Sequence, residues 1–338
     1  MQRCDCSHRI LPQMTHNPVK RFAISADLGG TNLRVAVVEE SGKLLEKVFL
    51  PTRVAQGRER VIRDLCAAVR EMAEKFQGQG SLAGIGIGIP GIIYLETGTL
   101  RQSPNLPGWE NYPVRDEIES LLRVRVLLDN DANVAALGEQ WLGAGRDVAS
   151  LCMLTLGTGV GGGLVLDGKI WHGFLGMAGE LGHIVVAENG VACPCGGRGC
   201  LETEASASAV VRKARDLLAA GKSPALAQAC QSATVLTAEL VYETASAGDA
   251  ACRAVFESVG RYLGIGLAGL INSLNLPLYV IGGGAAGAWE LFAPAMLGAL
   301  RERSYIFCEG RTRVEKSILE GDAGLYGAAY RVFQAGAD

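Results

Sequence analysis

The chain has 338 residues, 45 of them glycine, with 49% hydrophobic residues and a net charge of -3 from 32 basic and 35 acidic side chains. The glycines follow no three-residue period and prolines number only 11, which excludes collagen-like and low-complexity sequence. No block of one charge provides a footprint for nucleic acid or an anionic membrane, so the length suggests two domains with small-molecule chemistry between them.

Residues 1–20 read as a polar N-terminal extension without the apolar run of a secretory signal. Within it, Cys4, Cys6 and His8 lack a fourth metal ligand. A cytoplasmic location is therefore expected, with the ten cysteines as thiols or metal ligands rather than disulfides. No apolar run reaches the ~18 residues of a membrane span; the nearest are interrupted by Pro90 or by Arg261, Asn272 and Asn275.

The pattern then gives a strand over 22–25, the turn Asp27-Leu28-Gly29-Gly30-Thr31-Asn32, and strands over 33–38 and 43–50. Val61, Ile62, Leu65, Ala68, Val69 and Met72 mark a helical face within 58–76. Residues 82–95 read as a buried strand ending at Pro90-Gly91, and 101–112 as a long polar loop. A helix near 113–122, a strand over 124–128 and a helix over 132–141 complete the first half. The second half restarts in the same way, with a strand over 151–156, a glycine turn over 157–163 and a strand over 164–166, which suggests an internal duplication. A Cys-rich loop follows at 193–200, then an alanine-rich helical region over about 205–273. Gly264, Gly266 and Gly269 are expected there as close-packing positions. A strand over 278–281 runs into Gly282-Gly283-Gly284, and the last helix, about 321–335, is expected to return to the first domain.

Gly86-x-Gly88-x-x-Gly91 and Gly157-x-Gly159-x-x-Gly162 both match the dinucleotide pattern G-x-G-x-x-G. Such a turn needs a helix directly after it to face the pyrophosphate. Pro90 interrupts the first copy and a strand-like segment follows the second. No P-loop motif occurs. A glycine hairpin can still cradle phosphate, because successive N–H groups point into one concavity, and Thr31 and Thr158 add hydroxyls. With Asp27-x-Gly29-x-Thr31 at one hairpin and Gly157-Thr158-Gly159 at the other, the chain resembles the actin-like ATPase and sugar-kinase superfamily. The resemblance implies an α/β, ribonuclease H-like duplicated fold of two domains with an interdomain cleft. ATP would be gripped there by Asp27, Gly29, Gly30, Thr31 and Asn32 and by Gly157, Thr158 and Gly159, with Gly282, Gly283 and Gly284 near adenosine. The small α/β domain would comprise 21–131 plus about 318–338. The large one would span 132–317, with a zinc loop and a helical insertion.

Asp129, Asn130 and Asp131 stand between a strand and a helix, at the strand end where α/β folds place ligands. One of the three could simply cap the helix. Phosphoryl transfer needs a group that orients the attacking hydroxyl and takes its proton, and Asp131 is chosen as that base, with Asn130 as a hydroxyl ligand. Asp27, beside the first hairpin, is placed to hold Mg²⁺ through water.

His183, Cys193, Cys195 and Cys200 supply one imidazole and three thiolates, the set that closes a tetrahedral zinc sphere. The zinc would be structural and would fix a loop carrying Glu180 and Glu202. Cys66, Cys152, Cys230, Cys252 and Cys308 are scattered and read as buried or inert.

Together, DLGGTN at 27–32, GIGIPG at 86–91, LDNDANVAALGE at 128–139, LGTGVGGG at 156–163, GELGH at 179–183 and CPCGGRGCLE at 193–202 resemble the ROK family (repressor, open reading frame, kinase). The likeness runs from about 22 to 335. It implies ATP-dependent phosphorylation of glucose at the 6-hydroxyl, with Asp131 as base and Asn130 on a neighbouring hydroxyl. Glu180, His183 and Glu202 would contact hydroxyls across the ring, and Gly91 and Asn105 would complete the sugar site. Pro194 replaces a polar residue of many relatives without touching a metal ligand. The family also suggests a homodimer. Other hexoses or N-acetylhexosamines are the alternative substrates. A sugar-responsive regulator is the weaker alternative, since a DNA-binding module would need about sixty residues before the first hairpin.

Overall fold

The sequence from Phe22 to Leu28 is apolar on both faces apart from Ser25 and Asp27, as a strand buried between two layers requires. In the computed structural model, which describes residues 20–336, it lies at the centre of a five-stranded sheet. The expected extension over 1–20 lies outside the described residues apart from Lys20.

The first sheet has β1 (Arg21–Leu28), β2 (Asn32–Glu39) and β3 (Leu44–Pro51), then helix α1 (Arg58–Phe76) and β4 (Ser81–Ile89). The short β5 (Ile92–Tyr94) and β6 (Thr99–Gln102) form a separate hairpin, and α2 (Val114–Leu122), β7 (Val126–Asn130) and α3 (Asp131–Trp141) follow. The second sheet has β8 (Leu151–Leu156), β9 (Val160–Leu166) and β10 (Lys169–Ile170). After it come α4 (Leu201–Ala205), α5 (Ala207–Ala219), α6 (Pro224–Ser232), α7 (Ala238–Ser246) and α8 (Ala250–Leu274). The chain closes with β11 (Leu278–Gly282), α9 (Trp289–Arg303), α10 (Tyr305–Cys308), β12 (Arg313–Lys316) and α11 (Ala323–Ala335).

The two sheets repeat one another. Their strand orders are β3-β2-β1-β4-β7 and β10-β9-β8-β11-β12. In each, the first three strands run antiparallel and the last two are parallel to the hairpin's first strand. This is the duplicated actin-like fold.

Several elements differ from the sequence pattern. The strand read over 82–95 ends at Pro90-Gly91 as expected, where proline has no N–H to donate and Gly91 takes φ +116, but Ile92–Tyr94 beyond it forms the separate strand β5. The expected polar loop is anchored by Leu106, Trp109 and Tyr112, all buried, with Trp109 edge-on to Tyr112 at 5.5 Å. The second glycine turn is shorter than expected, because Gly161, Gly162 and Gly163 belong to β9. A Cβ on Gly163 would stand 2.6 Å from the Ala132 carbonyl, so the glycines let α3 lie directly on that strand. α9 carries Pro294, a break signal that hid it, and β12 is a four-residue edge strand with little apolar content.

By length and composition α8 could span a bilayer, but most of its apolar window is buried within the protein. It packs on α9 through Gly260 and Gly264, whose Cβ atoms would meet the Phe292 and Met296 carbonyls at 2.1 and 2.5 Å. Gly269 has no atom within 4 Å of such a Cβ, which removes it from the expected packing set.

The chain passes between the sheets twice, through α3 and its following loop and through 317–322. α3 and α11 cross at Gly138 and Gly327, where added Cβ atoms would lie 2.1 Å from the Ala323 carbonyl and 1.6 Å from the Val134 carbonyl. Trp141 stacks on Tyr330 at 4.7 Å beside this crossing. Because neither backbone can retreat without moving a sheet, Gly327→Ala is expected to destabilise the protein by about 2 kcal/mol or more. Denaturant unfolding of the variant checks this.

Candidate active site

A cavity of about 740 Å³ opens between the sheets, within the range of small-molecule sites. The first hairpin contributes Asp27, Gly29, Gly30, Thr31 and Asn32, and the opposite wall contributes Gly282, Gly283 and Gly284. Asp131 also lines it. Gly283 takes φ +83, and a Cβ there would lie 2.5 Å from the Leu156 carbonyl, so only glycine lets this turn rest on the end of β8.

Gly157, Thr158 and Gly159 do not line this cavity. Their hairpin is pinned from the other side: the Val160 N–H donates to Glu202 (2.9 Å), the Ala207 N–H to the Gly157 carbonyl (2.9 Å) and the Ser208 hydroxyl to the Thr158 carbonyl (2.7 Å). Thr158 and Gly159 instead open onto a second cavity of about 400 Å³, together with Asn105, Glu202 and Arg212. The Asn105 loop reaches back to the first hairpin, since a Cβ on Gly30 would stand 2.9 Å from the Asn105 carbonyl.

Of the three polar residues ending β7, Asn130 is the helix cap. Its Oδ1 accepts from the N–H groups of Ala132 (2.9 Å) and Asn133 (3.3 Å), and its Nδ2 donates to the Gly91 carbonyl (3.2 Å). That leaves one Nδ2 hydrogen for a ligand. Asp129 is 2% exposed and fully engaged, accepting from the Asn130 N–H (2.8 Å) and Asn133 Nδ2 (3.0 Å), with His172 Nε2 at 2.7 Å. Asp131 alone presents its carboxylate to the cleft. Burial pushes its pKa up to about 7, helped by the negative charges of Asp27 and Glu180 and opposed by nearby backbone N–H groups. A carboxylate poised near neutrality is suited to taking a proton.

Asp27 is raised from its ordinary range by burial, against the pull of Arg34, with which it forms an ion pair. Arg34 was not singled out from the sequence, although the hairpin register places it directly opposite Asp27, a cross-strand charge pair that a register argument can find. Lys316, Ser317 and Glu320 also line the cavity and carry no sequence signal of their own. The same holds for His172, 43 residues from its partner Asp129.

Glu180 precedes a short 3-10 turn, Leu181–His183, and its Oε2 lies 3.8 Å from His183 Nε2. The other imidazole nitrogen, Nδ1, is 3.6 Å from the Cys193 sulfur, and the Cys195 and Cys200 sulfurs are 3.7 Å apart. One ligand atom from each of His183, Cys193, Cys195 and Cys200 lies within 4.8 Å of every other. A tetrahedral ion with metal–sulfur bonds of about 2.3 Å and a metal–nitrogen bond of about 2.05 Å spaces sulfurs by about 3.8 Å and sulfur from nitrogen by about 3.6 Å. The four side chains fit that geometry. The Gly197 N–H, 3.4 Å from Cys195, holds that thiol below the ordinary range, whereas burial raises Cys193 and Cys200; a cation among them would deprotonate all three.

The sequence profile of the ROK family matches residues 23–335. The glucokinase of Halalkalibacterium halodurans is 37% identical over 93% of this chain and 96% of its own length. That of Thermotoga maritima is 40% identical over 90% of this chain and 95% of its own. Among solved structures, a ROK family glucokinase from Streptomyces griseus in complex with glucose and AMPPNP superposes with a TM-score of 0.79 at 32% identity. It covers 93% of this chain and 99% of that one.

Proposed function

The chain belongs to the ROK family, and from that membership we propose that it transfers the terminal phosphoryl group of ATP to the 6-hydroxyl of glucose, with Asp131 as general base. The observation that carries the proposal is the placement of Asp131. It stands at the start of α3, the only open carboxylate of its strand end, in the same cavity as the first glycine hairpin.

ATP would lie in the larger cavity, its phosphates against the backbone of Gly29, Gly30 and Thr31 and its adenosine toward Gly282–Gly284. Asp27 and Asp131 repel one another across this space, a donor set that favours a hydrated divalent cation; Mg²⁺ held through water by Asp27 would supply charge neutralisation on the transferring group. Glucose would sit between Asp131 and the metal-bound loop, with Asn130, Asn105 and Gly91 on one side and Glu180, His183 and Glu202 on the other. Asp131 takes the 6-hydroxyl proton as the hydroxyl attacks. Glu202 links the sugar to the second hairpin, because it already holds the Val160 N–H. Through it, Gly157, Thr158 and Gly159 would turn toward the phosphates as the domains close and water is excluded.

Zinc is the ion proposed for His183, Cys193, Cys195 and Cys200, closed by four protein ligands and therefore structural. A cytoplasmic setting is proposed from the likeness to bacterial glucokinases. A homodimer is the proposed assembly. A second substrate class is favoured by the smaller cavity, which continues from Glu202 past Ala192 and Pro194 and offers room for a substituent such as an N-acetyl group.

Coupled measurement of ADP release with glucose, mannose, fructose, N-acetylmannosamine and N-acetylglucosamine tests the proposal. Glucose is expected to give the highest kcat/KM. A preference for an N-acetylated sugar would replace the substrate, and no release above the sugar-free background with any of the five would sink the kinase function.

A further inference from the structure

Among the described residues, Glu139 is the most deeply buried carboxylate and has no part in the proposed mechanism. Glu139 has no exposed surface and lies in the last turn of α3, where the helix's partial negative charge opposes it. It is held by three neutral donors. Ser317 Oγ (2.5 Å) and the Leu319 N–H (3.0 Å) donate to Oε1, and the Ala144 N–H (2.8 Å) donates to Oε2. A Cβ on Gly143 would fall 2.0 Å from Oε2, so the surrounding chain is shaped around this side chain. Both stretches that pass between the sheets, the loop after α3 and the 317–322 turn, therefore converge on Glu139.

The 317–322 turn is part of the nucleotide-side wall, with Ser317, Glu320 and Gly321 lining the larger cavity. The first sheet grips it as well, through Arg34 on the Gly321 carbonyl and Lys47 on the Asp322 carboxylate at 2.7 Å. Glu320 takes φ +49, the left-handed region that a side chain disfavours, with its N–H donating to Ser317 Oγ (3.0 Å). Such a conformation persists only where its surroundings over-determine it.

We propose that Glu139 is a positioning residue for phosphoryl transfer: it fixes the nucleotide-side turn 317–322 to the far end of the helix that begins at Asp131. Donor and base then keep one register through a single rigid helix, and an error of about 1 Å in that register is enough to cost about a hundredfold in rate. The proposal rests on the kinase function above.

Glu139→Gln keeps the side-chain volume but turns one acceptor oxygen into a donor, so it faces at least one N–H or hydroxyl unpaired. In the full-length protein, AMPPNP affinity is expected to fall about fivefold or more and kcat about tenfold, with the glucose dissociation constant within about twofold of wild type. Unchanged AMPPNP affinity would overturn the role, and so would equal weakening of AMPPNP and glucose, which marks a general loss of structure. Ser317→Ala in both backgrounds should be non-additive with Glu139→Gln, because the hydroxyl acts through the carboxylate; additive effects would mean a direct nucleotide contact and overturn the proposal. Should Glu139→Gln fail to fold, Ser317→Ala alone carries the same expectation at about two- to threefold in AMPPNP affinity, and no change there overturns it. Failure of the wild type to bind AMPPNP would instead sink the kinase function itself.

Discussion

Asp131→Asn is expected to lower kcat for sugar phosphorylation by about a hundredfold or more while leaving the sugar dissociation constant nearly unchanged, the size of effect for losing a general base. The amide keeps the shape and can still meet a hydroxyl, but it cannot take the proton. The wild-type pH profile gives an independent check. With the Asp131 pKa up to about 7 and the ionised form required, kcat/KM should rise through neutral pH, with an acidic limb near 7 that the variant lacks. Stability should move the other way. The folded pKa lies above the unfolded value, so wild type carries a cost of ionisation that is complete above about pH 7 and fades as the pH falls toward 4. Asp131→Asn should therefore be more stable than wild type above neutrality, by roughly 1–3 kcal/mol after allowing for partial exposure, and equal to it in acid. Near-normal turnover in the variant would remove Asp131 from the mechanism, and a loss of activity in a better-folded protein could not be blamed on unfolding.

Stripping the zinc proposed for His183, Cys193, Cys195 and Cys200 is expected to weaken sugar affinity by about tenfold or more, with a smaller effect on kcat, as for losses around a ligand-orienting metal site. The reason lies in how the loop is held. Cys200 pairs with Val185 through an isolated bridge, and Ala192 with Arg198 through another; after the 3-10 turn Leu181–His183 only such bridges and short turn hydrogen bonds, such as the Cys193 N–H to the Gly197 carbonyl at 2.9 Å, order the chain up to α4. Glu180 and Glu202 stand at its two ends, three residues before His183 and two after Cys200. Without the ion, three thiols and an imidazole would crowd together with only these turn hydrogen bonds to order them, and the carboxylates would lose part of their fixed separation. Freshly purified protein should contain about one zinc per chain, the stoichiometry of a closed four-ligand site, and Cys200→Ser should reproduce the affinity loss. Metal-free protein with unchanged glucose binding would remove the loop from the sugar site.

Much of this was legible in the sequence because local chemistry carries it. Alternation and glycine turns mark the strand-turn-strand opening each half, and α1 follows from its apolar spacing. The spacing over 183–200 announces that three cysteines and a histidine will gather, and the structure brings their ligand atoms within 4.8 Å of one another. What stayed hidden depends on partners far apart in the chain. Trp109 gives no hint that an otherwise polar loop is anchored in the core, and Pro294 suggests a break where α9 in fact accommodates it.

The three residues ending β7 show where the division falls. The sequence alone determined that a polar cluster would stand at a strand end before a helix, because propensity and periodicity are properties of neighbouring residues. It could not say which residue caps the helix and which is left for chemistry. Tertiary structure decided that, by giving Asn130 to the cap and Gly91, Asp129 to His172, and Asp131 to a cavity shared with Asp27. It also turned the second glycine hairpin toward Glu202 and gathered both chain crossings on Glu139. Hydrogen-bond partners and burial arise only when distant segments pack, and they leave Asp131 as the open carboxylate on which the proposed base rests.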